Sequence, residues 1–228
     1  MTNELMPLLQ LSDSQFPSGA FAHSFGFETY IQEDVVTDAD SFKQALVVFL
    51  KKQLVYNDGL AFKLAMDCLE QGDRDYLMEL DHLLFASCVS HETREGNRRV
   101  GARMAKLCQE LYESLELRDY LNQIKEKTAY GHAALVFACV YQSLKISKEA
   151  ALETFLFTNL SSLVQNAVRG IPIGQTDGQK ILVDVHPVIK EAVHSIMNLS
   201  IEDLGAGSPG LEIAQMHHER LYVRLFMS

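Results

Sequence analysis

The sequence predicts an all-α protein, a single bundle-like domain of roughly nine or ten helices that spans residues 1–228. Apolar residues recur three and four positions apart through most of the chain, which is typical of amphipathic helices. Turn residues separate the recurring segments, as at 57–59 and 71–73. The stretch EDLGAGSPG at 202–210 is predicted to be a linker, and residues 211–228 are predicted to form a short C-terminal tail.

Three helices are predicted in the first part of the chain. The TDADS cluster at 37–41 supplies N-cap residues for an amphipathic helix that includes Phe42. The YNDG stretch is expected to end that helix at 57–59. A second helix then begins at Leu60, and a third runs through Tyr76.

A longer apolar stripe predicts one helix from about Ser90 to Leu117. Gly96 and Gly101 lie inside it, where glycine destabilises an exposed helix by about 1 kcal/mol relative to alanine. Close packing against a neighbouring backbone is therefore expected at both glycines.

Two strongly apolar helices are predicted at 128–144 and 147–168, the second beginning at Ser147. Phe155 and Phe157 cover more than one face of the second helix, which therefore lies either in the core or against a second subunit. The stretch 178–197 fits a strand by its Val and Ile content and a helix by its spacing. A lone strand would have no partner, so a helix with Pro187 inside it is favoured.

The charge balance argues against nucleic-acid binding as the main task, because 20 Lys and Arg against 30 Asp and Glu give a net charge of −10. The first residues lack the basic start of a signal peptide, and no apolar run approaches the ~20 residues of a membrane span. A cytoplasmic protein without membrane contact is expected. The four cysteines have neither zinc nor disulfide spacing, so buried thiols are expected.

The histidines suggest one candidate function, a metal-dependent hydrolase. The HETRE stretch at 91–95 has Glu95 where the zinc motif HExxH requires a second histidine. His217 and His218 are adjacent, so on a helix they point about 100° apart and chelate one ion poorly. The sequence therefore predicts no catalytic residue, no metal ligand and no cofactor.

The stretch GIPIGQTDGQK at 170–180 resembles a phosphate-binding loop, but Gln179 separates the glycine from Lys180. Two interpretations stay open. One is a helix–turn–helix corner in which Thr176 or Asp177 caps the next helix. The other is a recognition loop that presents Gln, Thr and Asp side chains.

A basic run on the predicted long helix also has two interpretations. It is either a solvated face paired with Glu92, Glu95 and Glu110, or a docking stripe for an acidic partner. The run consists of Arg94, Arg98, Arg99, Arg103 and Lys106.

The N-terminal stretch closely resembles the signature of the urease accessory protein F (UreF) family. The matching residues are Leu8, Leu9, Gln10, Asp13, Ser14, Pro17, Gly19, Phe21, His23, Ser24, Gly26 and Glu28. Ser18 departs from the isoleucine that is commoner in the family. Three further blocks, at 94–103, 167–182 and 216–228, resemble family blocks in the same order. Together they cover nearly the whole chain.

The resemblance implies an all-α, cytoplasmic and homodimeric protein that is not an enzyme. It implies an adaptor that bridges a GTPase (UreG) and a second accessory protein (UreD, also called UreH) during nickel delivery to apo-urease. Pro17, Gly19 and His23 would then form a structural turn. Phe155 and Phe157 would lie on the helix of the dimer contact.

The resemblance also implies which residues engage partners. Tyr30 and Arg224 would help to build the GTPase surface, and the tail would become ordered on the second accessory protein. Arg169 and the loop 175–179 would lie near the dimer core, on the proposed ion route. The predicted partner-binding residues are Tyr30, Arg169, Gln175, Asp177, Gln179, Arg220, Tyr222, Arg224, Leu225 and Phe226.

The composition of the tail agrees with such a role, because a short, apolar, Arg-bearing segment after a Gly/Pro linker is not expected to bury itself alone. Two alternatives remain. The chain could be a GTPase-activating regulator that uses Arg169 or Arg224. It could also be a metal-dependent hydrolase that uses His91, Glu92 and the C-terminal histidines.

Overall fold

The computed structural model describes residues 5–13, 16–19 and 22–228. Ser14 and Phe21 of the N-terminal signature lie outside them. The all-α prediction is confirmed, since the described residues form helices and no strand. The helices are α1 Leu5–Ser12, α2 Phe27–Gln32, α3 Ala39–Val48, α4 Leu60–Gln71, α5 Arg74–Ser87, α6 His91–Tyr112, α7 Leu115–Lys125, α8 Ala133–Ser143, α9 Lys148–Gly170, α10 Gln175–Met197 and α11 Pro209–His218.

Helices α3 and α4 are joined without a break by a π-helical segment, Phe49–Gly59. The predicted end of the helix at 57–59 is therefore wrong. Gly59 has helical dihedral angles, φ −68° and ψ −44°. A Cβ atom there would lie 2.7 Å from the Leu54 carbonyl oxygen and from Ile196 Cδ1, so this glycine serves close packing rather than a turn. The predicted start of the first helix is confirmed: Asp38 caps α3 by accepting from the Ser41 backbone N–H.

The single helix predicted from Ser90 to Leu117 is two helices. Glu113 adopts a left-handed conformation with φ 47° and ends α6. The Ser114 hydroxyl then accepts from the Leu117 backbone N–H at 3.1 Å and caps α7. The apolar spacing continues across this corner, and so periodicity alone hides it.

Helix α10 confirms the helical interpretation of 178–197, with Pro187 inside it. It begins earlier than expected, at Gln175, and its N-cap is Gly174, which makes no side-chain cap bond. The interpretation of 170–180 as a helix–turn–helix corner is confirmed, since α9 ends at Gly170 and α10 begins at Gln175. The predicted cap at Thr176 or Asp177 is wrong, and residues 175–179 are not a loop. Those residues form the first turn of α10.

The core is centred on α8, which is buried around nearly its whole circumference between α4 and α6. Phe155 of α9 is 2% exposed and stacks on Phe62 of α4 with ring centroids 5.0 Å apart. The consecutive apolar residues of α9 thus reflect the central position of this helix in the core. Phe157 is only partly buried and lies 6.0 Å from the His186 ring.

Helix α6 packs closely at both of its glycines, but only Gly101 meets a neighbouring backbone as predicted, whereas Gly96 meets the His23 side chain. A Cβ atom on Gly101 would lie 1.9 Å from the Gly131 carbonyl oxygen, and one on Gly96 would lie 2.7 Å from His23 Cε1. The segment around Gly131 is fixed by the buried Asp81 carboxylate, which accepts from the Tyr120 hydroxyl at 2.6 Å and from the Gly131 N–H at 2.9 Å. Cys68, Cys108 and Cys139 are buried free thiols, also as predicted. Within the described ranges, no helix is both long and apolar enough to cross a membrane.

Candidate functional site

The N-terminal turn and the C-terminal segment meet on one side of the bundle. Phe25 and Gly26 have positive φ angles, 52° and 92°, and turn the chain sharply into α2. A Cβ atom on Gly26 would lie 3.0 Å from Gln215 Cγ of α11. Glycine at this position therefore lets α11 lie directly against the turn.

The end of the C-terminal segment is held by the residues before this turn. The Ser228 carbonyl oxygen accepts from the Ser24 N–H at 2.5 Å, from the Ser24 hydroxyl at 2.8 Å and from the Phe25 N–H at 3.1 Å. Nδ1 of His23 lies 2.8 Å from the Ser228 hydroxyl oxygen. Ser228 is 1% exposed, so these bonds are shielded from water.

Glu28 of α2 holds the same segment at Leu225 and Phe226, just before Ser228. Its carboxylate is buried and accepts from the backbone N–H groups of Leu225 at 2.5 Å and Phe226 at 3.1 Å. Nε2 of His218 lies 2.9 Å from Glu28 Oε2. A buried carboxylate of this kind is tolerated because each oxygen has a hydrogen-bond donor.

A second carboxylate, Glu92 at the start of α6, completes the cluster. Its Oε2 lies 2.7 Å from Nδ1 of His218, and its Oε1 accepts from Arg224 at 2.6 Å. Both ring nitrogens of His218 therefore face carboxylate oxygens. We call Glu28, Glu92, His218 and Arg224 the acidic clasp, since two carboxylates hold the tail between them.

The electrostatics of this junction follow from burial and charge. Burial alone would raise the pKa of Glu92, but hydrogen bonds from His218 and Arg224 outweigh it and hold the pKa below its usual value. Burial lowers the pKa of His23, and the positive charges of Arg99 and His218 lower it further. Burial and the neighbouring positive charges therefore favour the neutral form of His23.

From Leu225 to Ser228 the side chains of the tail alternate between exposed and buried, whereas Tyr222, Val223 and Arg224 are all exposed. Phe226 is 7% exposed, and its ring lies 5.3 Å from the Arg169 guanidinium of α9. Arg169 donates to Asn166, whose side-chain amide donates to the His23 carbonyl oxygen at 2.8 Å. The outward side chains are mostly apolar, and we call them the tail surface: Tyr222, Val223, Leu225 and Met227, which are 101%, 61%, 67% and 54% exposed.

The sequence-based prediction that the tail cannot bury itself alone is wrong for part of it. Leu211 and Ala214 of α11 pack on the chain itself, and Phe226 and Ser228 are buried. The polar groups of the tail find partners in Glu28 and Glu92 of the acidic clasp. Both carboxylates lie outside the tail, so the composition of the tail alone does not reveal them. The tail surface nevertheless stays exposed.

The other predicted site residues are distributed around this junction. Tyr30 of α2 is partly buried, and burial together with the Glu33 charge raises its pKa. Its hydroxyl would lie 3.8 Å from a Cβ atom on Gly210 at the start of α11. Asp177 pairs with Lys180 at 3.0 Å, and the remaining predicted residues, Gln175, Gln179 and Arg220, are exposed on α10 or follow α11.

The residues of the predicted structural turn lie at the N-terminal side of this junction. Gly19 has φ 87°, which favours glycine, and Pro17 is exposed beside it. His23 is buried, only 5% exposed, and its ring lies against Gly96. Its role goes beyond the turn, since it also contacts Ser228.

Sequence reasoning did not single out Glu28, Asn166, His218 or Ser228 as interacting residues. The adjacent histidines do point in different directions, as predicted: His218 is 0% exposed, and His217 is exposed with Nδ1 3.5 Å from Glu33. Both nitrogens of His218 already have partners. Across the described ranges, no group of three or more His, Cys, Asp and Glu side chains is arranged to hold a metal ion.

Comparison with known proteins adds to this geometry. The UreF family model matches residues 36–186. The chain is 61% identical over 226 residues to the urease accessory protein UreF of Bacillus sp. (strain TB-90), covering 99% of this chain and 100% of that protein. It is 51% identical over 225 residues to UreF of Geobacillus kaustophilus (strain HTA426), covering 99% and 98%. It is 44% identical over 228 residues to UreF of Lachnoclostridium phytofermentans, covering 100% of both.

Proposed function

The chain belongs to the UreF family of urease accessory proteins, and from this premise we propose that it is a non-enzymatic adaptor in urease maturation. In this role it couples a GTPase, UreG, to the incorporation of nickel into apo-urease. A second accessory protein, UreD or UreH, completes the complex. Nickel is the cargo of this complex, and the adaptor guides it without storing it.

The observation that carries the proposal is the tail surface. Tyr222, Val223, Leu225 and Met227 are at least 54% exposed, although the backbone between them is fixed by Glu28 and Ser24. Exposed apolar residues grouped on an ordered backbone are typical of protein interfaces. Ordering before binding also reduces the entropy that association costs.

The placement of the other residues supports a division of the surface between partners. Phe157 stays partly exposed on α9 and is available for a homodimer contact, whereas Phe155 packs in the core of its own chain. Tyr30 lies next to α11, and Arg224 lies in the acidic clasp. We assign the tail surface to the second accessory protein, and Tyr30 with Arg224 to the GTPase. In the assembled complex, Arg169 and residues 175–179 lie on the route of the nickel ion.

The adaptor role is tested by assembling the purified complex and weighing it by light scattering after size exclusion. The variant Tyr222→Asp/Leu225→Asp places charge on the tail surface without touching a buried side chain. Leu115→Asp is the matched control, because Leu115 is an exposed apolar residue, 48% exposed, at the start of α7. We expect wild type and control to form the complex and the tail variant to lose the second accessory protein. Absence of any complex with wild-type protein, with GTP or a GTP analogue present, would refute the adaptor role.

A GTPase-activating role requires an arginine that reaches the partner's nucleotide. Arg224 already pairs with Glu92, and Arg169 lies against Phe226 and Asn166, so either arginine would have to leave a partner. GTP hydrolysis by the GTPase is therefore measured with the variants Arg169→Ala and Arg224→Ala. An unchanged rate with reduced urease activation favours the adaptor, whereas a large fall in the rate favours the activating role.

A further inference from the structure

Helix α6 carries an exposed row of positive charge on its outer face. Arg99, Arg103 and Lys106 are spaced by four and three residues, so they lie on one side of the helix. All three are exposed. We call them the basic stripe, which extends about 10 Å along the helix axis at a rise of about 1.5 Å per residue.

Most of the charge of the basic stripe lacks a compensating carboxylate among the residues that the structure describes. Among the described residues, no carboxylate lies within 4.0 Å of Arg99, Arg103 or Lys106. Other arginines of α6 are engaged: Arg98 pairs with Glu95 at 2.8 Å, and Arg94 lies over the Phe85 ring at 5.1 Å. The sequence-based pairing of the basic run with α6 carboxylates is thus confirmed for Arg98 and holds in part for Arg99, whose charge adds to the Arg98 hydrogen bond in lowering the Glu95 pKa. Among the described residues, Arg103 and Lys106 form no such pair.

A largely uncompensated row of cations is unusual in a chain whose net charge is −10. Cations one helical turn apart repel one another, and in the described part of the chain no carboxylate pairs with Arg103 or Lys106 within 4.0 Å to relieve that repulsion. A partner that brings carboxylates to this face would relieve it. Charge complementarity therefore specifies an acidic occupant.

The basic stripe adjoins the tail surface through the N-terminal turn. A Cβ atom on Gly19 would lie 3.5 Å from Arg103 Nη1. Burial lowers the His23 pKa, and Arg99 lies close enough for its positive charge to lower that pKa further. The tail passes along the same residues, since the Met227 N–H donates to the Ala22 carbonyl oxygen at 2.7 Å.

We propose that the basic stripe and the tail surface form one composite docking surface, whose partner is a protein that presents carboxylates beside an apolar anchor. The inference rests on the proposed function and deepens it by naming the partner's chemistry. Leu225 and Met227 supply apolar contact, and the stripe supplies orientation and fast association. A nucleic acid fits less well, because the exposed apolar residues offer nothing to a phosphate backbone and the chain is acidic overall.

The test reverses two charges of the stripe and leaves Arg99 intact, since Arg99 acts on the buried His23. The variant is Arg103→Glu/Lys106→Glu. The matched control is Lys52→Glu/Lys190→Glu, which makes the same change in net charge at two exposed lysines without carboxylate partners among the described residues. Affinities of the full chain for the purified GTPase, with a GTP analogue, and for the purified second accessory protein are measured at 50 and 300 mM NaCl.

For the second accessory protein, to which the tail surface is assigned, we expect the stripe variant to bind at least about tenfold more weakly at 50 mM NaCl and to lose most of the salt dependence. A loss of affinity confined to the GTPase would overturn the inference. The control should stay within about twofold of wild type. Equal affinities of variant and control for both partners would overturn the inference while leaving the adaptor role intact. Failure of the wild-type chain to bind either partner would instead overturn the proposed function.

Two further measurements separate the remaining occupants. Light scattering of the chain alone reports whether the stripe binds a second copy, and titration with a 20-base-pair DNA duplex reports nucleic-acid binding. If only self-association or only DNA binding responds to Arg103→Glu/Lys106→Glu, the acidic-partner inference is wrong. Unchanged self-association and no DNA binding, together with the loss of partner affinity, support it.

Discussion

Nε2 of His218 lies 2.9 Å from Oε2 of Glu28, a residue 190 positions earlier in the chain. The same carboxylate accepts two backbone N–H groups of the tail, from Leu225 and Phe226. One buried side chain thus fixes both the end of α11 and the backbone that carries the tail surface.

Replacing Glu28 by Gln should release the tail. The amide offers only one acceptor oxygen where the carboxylate offers two, so buried donors lose a partner. We expect the free energy of unfolding to fall by about 3 kcal/mol, because buried donors that were bonded to a carboxylate are left without an acceptor. Denaturant unfolding measures this fall, and hydrogen exchange should show faster exchange at the Leu225 and Phe226 amides.

Glu33→Gln is the control for that substitution, because Glu33 follows the same helix but its side chain is 51% exposed. It should change stability by less than about 0.5 kcal/mol. If Glu28→Gln were as mild as this control, the acidic clasp would contribute little to holding the tail.

The stability of the protein should depend on pH through His23. Burial, followed by the charges of Arg99 and His218, places the His23 pKa in the folded protein below its ordinary value. The unfolded chain therefore binds a proton more readily than the folded one. The contribution of neutral His23 is complete above about pH 6.5 and is lost as the pH falls through the folded-state pKa.

Unfolding free energies between pH 8 and pH 5 test this dependence. Wild type should lose stability toward pH 5, and His23→Gln should show a shallower slope over the same range. His82→Gln, at an exposed histidine of α5, should retain the wild-type slope. Parallel slopes for wild type and His23→Gln would show that other groups cause the pH dependence.

Gly101→Ala should destabilise the fold, because its Cβ atom would lie 1.9 Å from the Gly131 carbonyl oxygen. Backbone cannot move aside as a flexible side chain can, so we expect a loss of about 2 kcal/mol or more. Thermal unfolding measures the loss. Gly174→Ala is the control, since the nearest atom to its Cβ would be 3.8 Å away. Similar melting temperatures for the two variants would contradict the close approach of α6 to Gly131.

Tyr222→Ala should weaken partner binding without affecting the fold. The side chain is 101% exposed, so its removal costs the isolated protein almost nothing. Interface tyrosines often contribute about 2 kcal/mol, which corresponds to roughly a 30-fold loss of affinity. Calorimetric titration with the second accessory protein measures this loss. Tyr130→Ala, at a residue 39% exposed and distant in sequence, is the control for loss of an exposed aromatic ring. Undiminished affinity of Tyr222→Ala would place the contact elsewhere.

The fold class was predictable from local patterns, because an amphipathic helix records its buried face in its own spacing. The Asp38 cap was predictable from the TDADS cluster, and the close backbone approach at Gly101 from the cost of glycine inside a helix, whereas the neighbour of Gly96 is the His23 side chain. The π-helical segment was not, because the dihedral angles of Gly59 depend on Leu54 and Ile196 around it. The corner at Glu113 was hidden, since apolar spacing continues through it.

The contacts between the tail and the N-terminal turn could not be predicted from the sequence. His23, Glu28 and His218 were each visible within family-like blocks, yet nothing local says that Glu28 and His218 touch. Their contact depends on how α2, α6 and α11 pack. The exposed tail surface was predictable from its composition, whereas its anchoring required the full three-dimensional arrangement.

Because residues 22–28 hold residues 218–228, the composite surface cannot form before residues 218–228 have been synthesised. The helices between them can form first from local contacts, and the closing bonds join positions up to 205 residues apart. A nascent chain therefore has no finished docking surface to offer. The tail surface is therefore expected to be completed only after the helices between these two segments have formed.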